Sequence, residues 1–208
     1  IYILIKVKSY NLNTKKDFKI KNLCLCIGNF DGIHIGHQHV IKKIINNSKV
    51  DNLKSAIMTF VPHPKIYFKK TDNNFNIVTN DYKKNFLNSL GLKYYIEYKF
   101  NKNLSNLNAI DFIEKILTKQ LHVKKIVVGK DFRFGKDRKG NTALLKKLSS
   151  KYSYKLFVID HVKNKKTNRK YSSSIIRKNI NEGAFEKVSH ALGRNWFIKS
   201  KVIRGNQK

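Results

Sequence analysis

Three of the chain's seven histidines, His34, His37 and His39, fall within one glycine-punctuated stretch, Ile27-Gly-Asn-Phe-Asp-Gly-Ile-His-Ile-Gly-His-Gln-His-Val40. A helix beginning near Gly36 sets His34 and His37 at its mouth, where the first backbone N–H groups lack intrahelical partners and the dipole favours an anion. Gly32 and Gly36 let the backbone approach a phosphate closely. Imidazoles there can donate to phosphate oxygens that gain charge during transfer. A zinc centre is the weaker reading. No Glu or Asp stands at the spacing of a metalloprotease helix, and Cys24 and Cys26, the only cysteines, lack a second pair to complete a site. Two apart on a strand, they are poorly placed for a mutual disulfide and read as reduced core residues. His39 reads as a satisfied residue of the helix rather than a ligand.

Three further stretches carry chemistry. The only two prolines, Pro62 and Pro64, flank His63. Each fixes its own φ and restrains the residue before it, so the loop is stiff. With Phe60, Tyr67 and Phe68 nearby it could wall an aromatic ligand's pocket; an ordinary rigid turn is the alternative. Lys130-Asp-Phe-Arg-Phe-Gly135 alternates Phe132 and Phe134 around a cation, offering stacking area beside the acceptor Asp131. The alternative is a surface turn with one ring tucked in. Ser172-Ser-Ser-Ile-Ile-Arg177 supplies hydroxyls, those of Ser173 and Ser174 among them, at a helix start with Arg177 on its first turn. That is a second anion site, since capping explains one serine but not three followed by that arginine.

The elements that must position these residues follow from periodicity. Leu23–Ile27 is a short apolar run ending in Gly28, as a buried parallel strand would be. Val40, Ile41, Ile44 and Ile45 recur at helical spacing. Further strands are expected at Ser55–Phe60, Tyr94–Tyr98, Lys125–Val128 and Leu156–Ile159. Helices are expected near Asp81–Leu90, Ala109–Leu121, Thr142–Lys151, Ser172–Asn181 and Phe185–Leu192, the last closed by Gly193. This alternation predicts an α/β doubly wound parallel sheet with right-handed crossovers, whose ligands sit beyond the carboxyl ends of the strands. The histidine stretch and the Pro-His-Pro and Asp-Phe-Arg-Phe loops all follow strands. Trp196–Ile203 reads as one more strand with no partner left to pair with.

Composition sets outer bounds. The 208 residues suffice for one full domain, or one plus part of another. The chain begins without Met and reads as a fragment. No apolar run reaches the ~18 residues of a membrane span and nothing resembles a signal peptide, so a soluble, cytoplasmic chain without membrane partners is expected. The 44 basic against 13 acidic residues give a net charge of +31. Such charge could serve nucleic acid, but lysines spread evenly through a Lys-, Asn- and Ile-rich chain point to compositional bias, with no specific nucleic-acid partner. It favours anionic small molecules such as nucleotides.

His34-Ile-Gly-His37 matches the H-x-G-H signature of the nucleotidyltransferase superfamily, which class I aminoacyl-tRNA synthetases share. The longer Gly-Asn-Phe-Asp-Gly-Ile-His-Ile-Gly-His-Gln string, residues 28–38, resembles the adenylyltransferase module of bacterial bifunctional riboflavin kinase/FAD synthetases. The likeness continues through Thr59–Pro64, Val128–Gly135 and Ser172–Arg177, in that family's order, over about residues 20 to 195. Two departures are visible: Ser174 stands where the family usually has Thr, and Ile175 where it often has Arg.

The resemblance implies a Rossmann-like nucleotidyltransferase fold and transfer of AMP from ATP to FMN. It implies catalytic roles for His34, His37 and Arg177, with ATP held by Gly28, Asn29, Phe30, Asp31, Gly36, Ser173 and Ser174. Flavin would lie on Pro62, His63, Pro64, Asp131, Phe132 and Phe134. Mg²⁺ would be held mainly by ATP oxygens, with no metal site built by the protein. The family's adenylyltransferase would occupy residues 1–193. Residues 194–208 would be the truncated first strand of a C-terminal β-barrel kinase module, whose Pro-containing site is missing because no proline follows Pro64. The alternatives are a relative with another acceptor, a class I synthetase-like fragment, and a nucleic-acid-binding module.

Overall fold

The computed structural model describes residues 7–13, 18–69, 76–164 and 167–198. In chain order its elements are β1 (Lys8–Leu12), β2 (Leu23–Ile27), α1 (Ile35–Val50), β3 (Lys54–Val61), α2 (Pro64–Tyr67), α3 (Asn80–Ser89) and β4 (Tyr94–Lys99). They continue with α4 (Lys102–Ser105), α5 (Ala109–Asp111), β5 (Val123–Gly129), α6 (Thr142–Leu148), β6 (Lys155–Ile159), α7 (Ser173–Asn181) and α8 (Phe185–Leu192).

Among the described residues one six-stranded sheet runs β1-β4-β3-β2-β5-β6, every neighbouring pair parallel. The expected doubly wound sheet is therefore present. β2 lies at its centre because Leu23-Cys-Leu-Cys-Ile27 is apolar on both faces, and all five residues are buried. Cys24 and Cys26 are free thiols within that strand. The order reverses between β2 and β5, so a crevice opens beyond their carboxyl ends.

Each face of the sheet carries its own core. Ile41, Ile44 and Ile45 of α1 and Leu87 of α3 cover one face. Phe112, Ile113, Ile116 and Leu117 cover the other, with Leu145 of α6. Those four residues belong not to an α-helix, as their spacing predicts, but to a π-helix over Phe112–Gln120 that continues α5. The Thr118 hydroxyl donates to the Ile113 carbonyl five residues back (3.0 Å), matching the wider turn. A smaller cluster joins Ile77 to Ile176 of α7 and to Val188 and Leu192 of α8.

The strand expected over Trp196–Ile203 is not formed at residues 196–198, and its remainder lies outside the described residues. Trp196 has other work: its indole N–H donates to the Ile77 carbonyl (3.0 Å) and its ring stacks on Phe185.

Candidate functional site

The chain leaves β2 through Gly28 and Asn29 and then turns sharply. Phe30, Gly32 and Ile33 all have positive φ (48°, 78° and 41°) within the 3₁₀ turn that delivers His34 to the start of α1. His34 is the N-cap of that helix. Its Nδ1 accepts from the His37 backbone N–H at 3.2 Å, so one imidazole satisfies an orphan donor while facing the crevice. The two rings stack, centroids 3.7 Å apart and 14° from parallel. Gly36 makes the stacking possible, because a Cβ there would sit 3.1 Å from His34.

Both histidines are held neutral. Burial pushes the His34 pKa down to about 4, against a raising hydrogen bond from the backbone, with the nearby Arg194 charge adding to the fall. Burial also lowers His37 well below its ordinary value, with His34 and Lys83 adding to the effect. Among the described residues, His37 Nδ1 and Asn29 Oδ1 are buried with no hydrogen-bond partner. Two orphaned polar atoms at one place need an explanation.

The residues that carry them, Asn29 and His37, border a crevice. A cavity of about 430 Å³ is walled by Gly28, Asn29, Phe30, His34, Gly36, His37, Pro64, Asp131, Phe132, Ser172 and Ser173, all on strand-end segments or at the starts of α1, α2 and α7. The four stretches that the sequence marks out meet in this one place.

Other sequence-predicted residues stand behind the wall. Asp31 is 3% exposed: its carboxylate accepts from Arg177 Nη2 and from the Ile77 N–H (3.0 Å), and its carbonyl accepts from the Ser173 hydroxyl (2.9 Å). Asp31 and Arg177 thus tie the start of α7 to the histidine turn. Ser174 faces solvent, two residues on from Ser172, whose Oγ caps α7 by accepting from the Ile175 N–H. Pro62 is exposed, and His63 Nδ1 caps α2 by accepting from the Lys65 N–H (3.1 Å), which leaves Pro64 as the wall residue of that loop. Phe134 is 6% exposed and packs against Phe112; Phe132 stacks on it, rings 19° from parallel, so the inner ring props the outer one.

Sequence reasoning missed several residues. Asp160, His161 and Val162 line the cavity just past β6, where a fourth strand end was available to inspect. His161 and Lys170 both reach Asp131, at 3.4 and 3.9 Å. Lys83 is buried, its ammonium donating to the Asn29 carbonyl (3.4 Å) that also takes the Thr59 hydroxyl (3.3 Å). On α3 its charge looks like any other lysine's.

Comparison with known proteins bears on this architecture. Residues 17–175 match the FAD synthetase family model. The chain belongs to the FAD synthetase family. The FAD synthetase of Listeria monocytogenes is 32% identical over 182 residues, 87% of this chain and 72% of that protein. The bifunctional riboflavin kinase/FMN adenylyltransferase of Buchnera aphidicola (subsp. Acyrthosiphon pisum) is 39% identical over 186 residues, covering 89% of this chain and 59% of that one. The chain thus spans about three-fifths of the length of the first curated relatives it matches. A crystal structure described as a macrolide-efflux protein from Streptococcus pneumoniae shares the fold, with a TM-score of 0.78 at 24% identity over 90% of this chain and 62% of that one. Among the described residues no helix is long and apolar enough to cross a membrane.

Proposed function

We propose that this FAD synthetase-family chain transfers the AMP group of ATP to FMN, giving FAD and pyrophosphate. The observation that carries the reading is that His34 and His37, at the N-terminus of α1, line one cavity together with the start of α7 and an aromatic loop. The helix start offers donors to phosphate, and the exposed side of the Phe132 stack offers area to a flavin ring.

A phosphate oxygen of FMN attacks the α-phosphorus of ATP, the bond to the bridging oxygen breaks, and pyrophosphate leaves with the electron pair. The nucleophile is already ionised, so no protein nucleophile is required. Catalysis then rests on alignment and on stabilising charge at the α-phosphate. Neutral His34 and His37 serve as N–H donors to the transferring and leaving phosphates. Ser173, Ser174 and Arg177 serve the β/γ side, with Arg177 aimed by Asp31. Pro64, Asp131 and Phe132 receive the flavin, backed by Pro62, His63 and Phe134.

Among the described residues no group of three or more His, Cys, Asp or Glu could hold a metal ion, and Asp31 is committed to Arg177 and Ile77. Mg²⁺ would be carried mainly on the ATP phosphates, where it would offset their charge. Riboflavin phosphorylation, which the bifunctional relatives' names include, we assign to the part of those proteins beyond this chain. The adenylyltransferase unit would then end near residue 193 and residues 194–208 would lead into that second module.

Incubation with ATP, Mg²⁺ and FMN, followed by chromatography, tests the reading. FAD and pyrophosphate are expected. Untouched FMN alongside adenylylated nicotinamide mononucleotide or phosphopantetheine would overturn the flavin assignment, and FMN formed from riboflavin would overturn the placement of the kinase site.

A further inference from the structure

The turn that delivers His34 is made of residues that resist its shape. Ile33, β-branched and fully buried, has φ 41°, a region that such side chains avoid. A strained backbone persists only where its surroundings over-determine it. Here the restraint comes from the far end of the chain. Arg194 Nη2 donates to the Gly32 carbonyl (2.6 Å) and Nη1 to the Ile33 carbonyl (3.0 Å). Nη1 also reaches the Leu192 carbonyl (3.0 Å), and Nε the Tyr82 hydroxyl (2.8 Å). Four of a guanidinium's five N–H groups are thereby engaged. The plane lies over Phe86, 4.2 Å from the ring centre. Gln38, on the first turns of α1, joins the same two acceptors, donating to the Ile33 and Leu192 carbonyls (3.0 and 2.8 Å).

We propose that Arg194 is a positioning residue for the phosphate-facing histidines: it holds the Gly32–Ile33 peptides in the left-handed turn that sets His34 against His37. It does not line the cavity. Gly193, at φ 67°, ends α8 and turns the chain so that the guanidinium points back at the turn. The segment after α8 therefore belongs to the working site. Whatever pulls on residues 194–198 is felt at His34.

The activity arm of the test rests on the adenylyltransfer reading; the exchange arm does not. In the full chain, Arg194→Ala is expected to lower kcat for FAD formation about 10- to 100-fold, the scale of an ångström-sized misplacement. KM for ATP should change less than about threefold, since the cavity wall is intact. Guanidinium ion at millimolar concentration should recover much of the lost kcat by refilling the vacated site, which general loss of stability would not allow. Amide exchange should accelerate across residues 29–38 while β2 and β5 stay protected. Unchanged exchange at 29–38, or full kcat in the folded variant, overturns the proposal. If wild-type protein makes no FAD, the functional reading falls and the exchange result still decides the positioning role. Should Arg194→Ala not fold, Arg194→Lys decides: one ammonium cannot reach Tyr82 and both turn carbonyls together, so wild-type exchange and kcat in that variant would refute the clamp.

Discussion

Replacing Asp31 by Asn separates two roles that the sequence cannot tell apart. The sequence offers Asp31 as a contact to the nucleotide, whereas the structure buries its carboxylate against Arg177 and the Ile77 N–H. The variant's amide would still offer an oxygen to the Ile77 N–H, but it would lack the negative charge that faces the guanidinium. Breaking a buried pair typically costs about 3–5 kcal/mol. Asp31 is 3% exposed and Arg177 19%, so the arginine keeps some hydration and the lower end applies, about 3 kcal/mol. For a chain of this size that lowers Tm by roughly 6–12 °C. In urea, with a slope of about 2–3 kcal/mol per molar, the midpoint should fall by about 1–1.5 M. Turnover should fall too, because Arg177 loses the group that aims it. Removing both partners, by combining Asp31→Asn with Arg177→Met, should destabilise less than Asp31→Asn alone, since the cation that has lost Asp31 is removed as well. The assays are urea denaturation of wild type and both variants, and ATP kinetics of the single variant. A wild-type midpoint combined with a raised KM for ATP would refute the reasoning and return Asp31 to the nucleotide.

Two other perturbations probe the histidines. His37→Ala should lower kcat by about 10²–10³ with little change in ATP binding, the usual loss for one preorganised donor to a transition-state oxyanion; a folded variant with normal turnover would make the pair structural. The second concerns pH. His34 is depressed to about 4 from its ordinary 6.5, so the folded chain keeps it neutral while the unfolded chain takes up a proton below 6.5. Stability is therefore lost as pH falls from 6.5 toward 4, by about 3 kcal/mol from this residue. Carboxylates contribute acid sensitivity of their own, so the measurement is the difference between wild type and His34→Gln, and equal slopes would contradict the buried-neutral assignment.

The sheet was largely legible because its inner strands are apolar runs, two of which, β2 and β5, run into glycine. β2 is the clearest case. β1 was not legible: Lys8-Ser-Tyr-Asn-Leu12 is mostly polar, pairs only with β4, and buries only Leu12, so no pattern marks it. Nor does sequence distinguish the π-helix at Phe112–Gln120 from an α-helix, since either buries the same four apolar residues. In the site, the short motifs were readable because each is a local run of a few residues, at a strand end or at the start of α7. Their depth order was not. Phe132 and Phe134 look equivalent in sequence, yet one meets the cavity and the other the core. Arg194 and Gln38 were invisible for a different reason: their meaning lies in carbonyls up to 162 residues away, and backbone acceptors carry no side-chain signature.

The electrostatics of the crevice follow a consistent logic. A histidine that had to carry a proton would need an anion beside it. The turn's carboxylate, Asp31, is instead consumed by Arg177, and the charges acting on His34 and His37 are those of Arg194 and Lys83. In the proposed transfer the cationic task would fall to groups that keep their charge, with the imidazoles as neutral donors. An incoming triphosphate draws the histidine pKa values upward, and the same cations resist that rise. This suits the proposed transfer, whose nucleophile is already ionised and whose leaving pyrophosphate needs charge stabilisation more than a proton. On that proposal, burial of the two rings would be part of the chemistry, since an exposed pair would titrate near neutral pH and change its donor pattern within the working range.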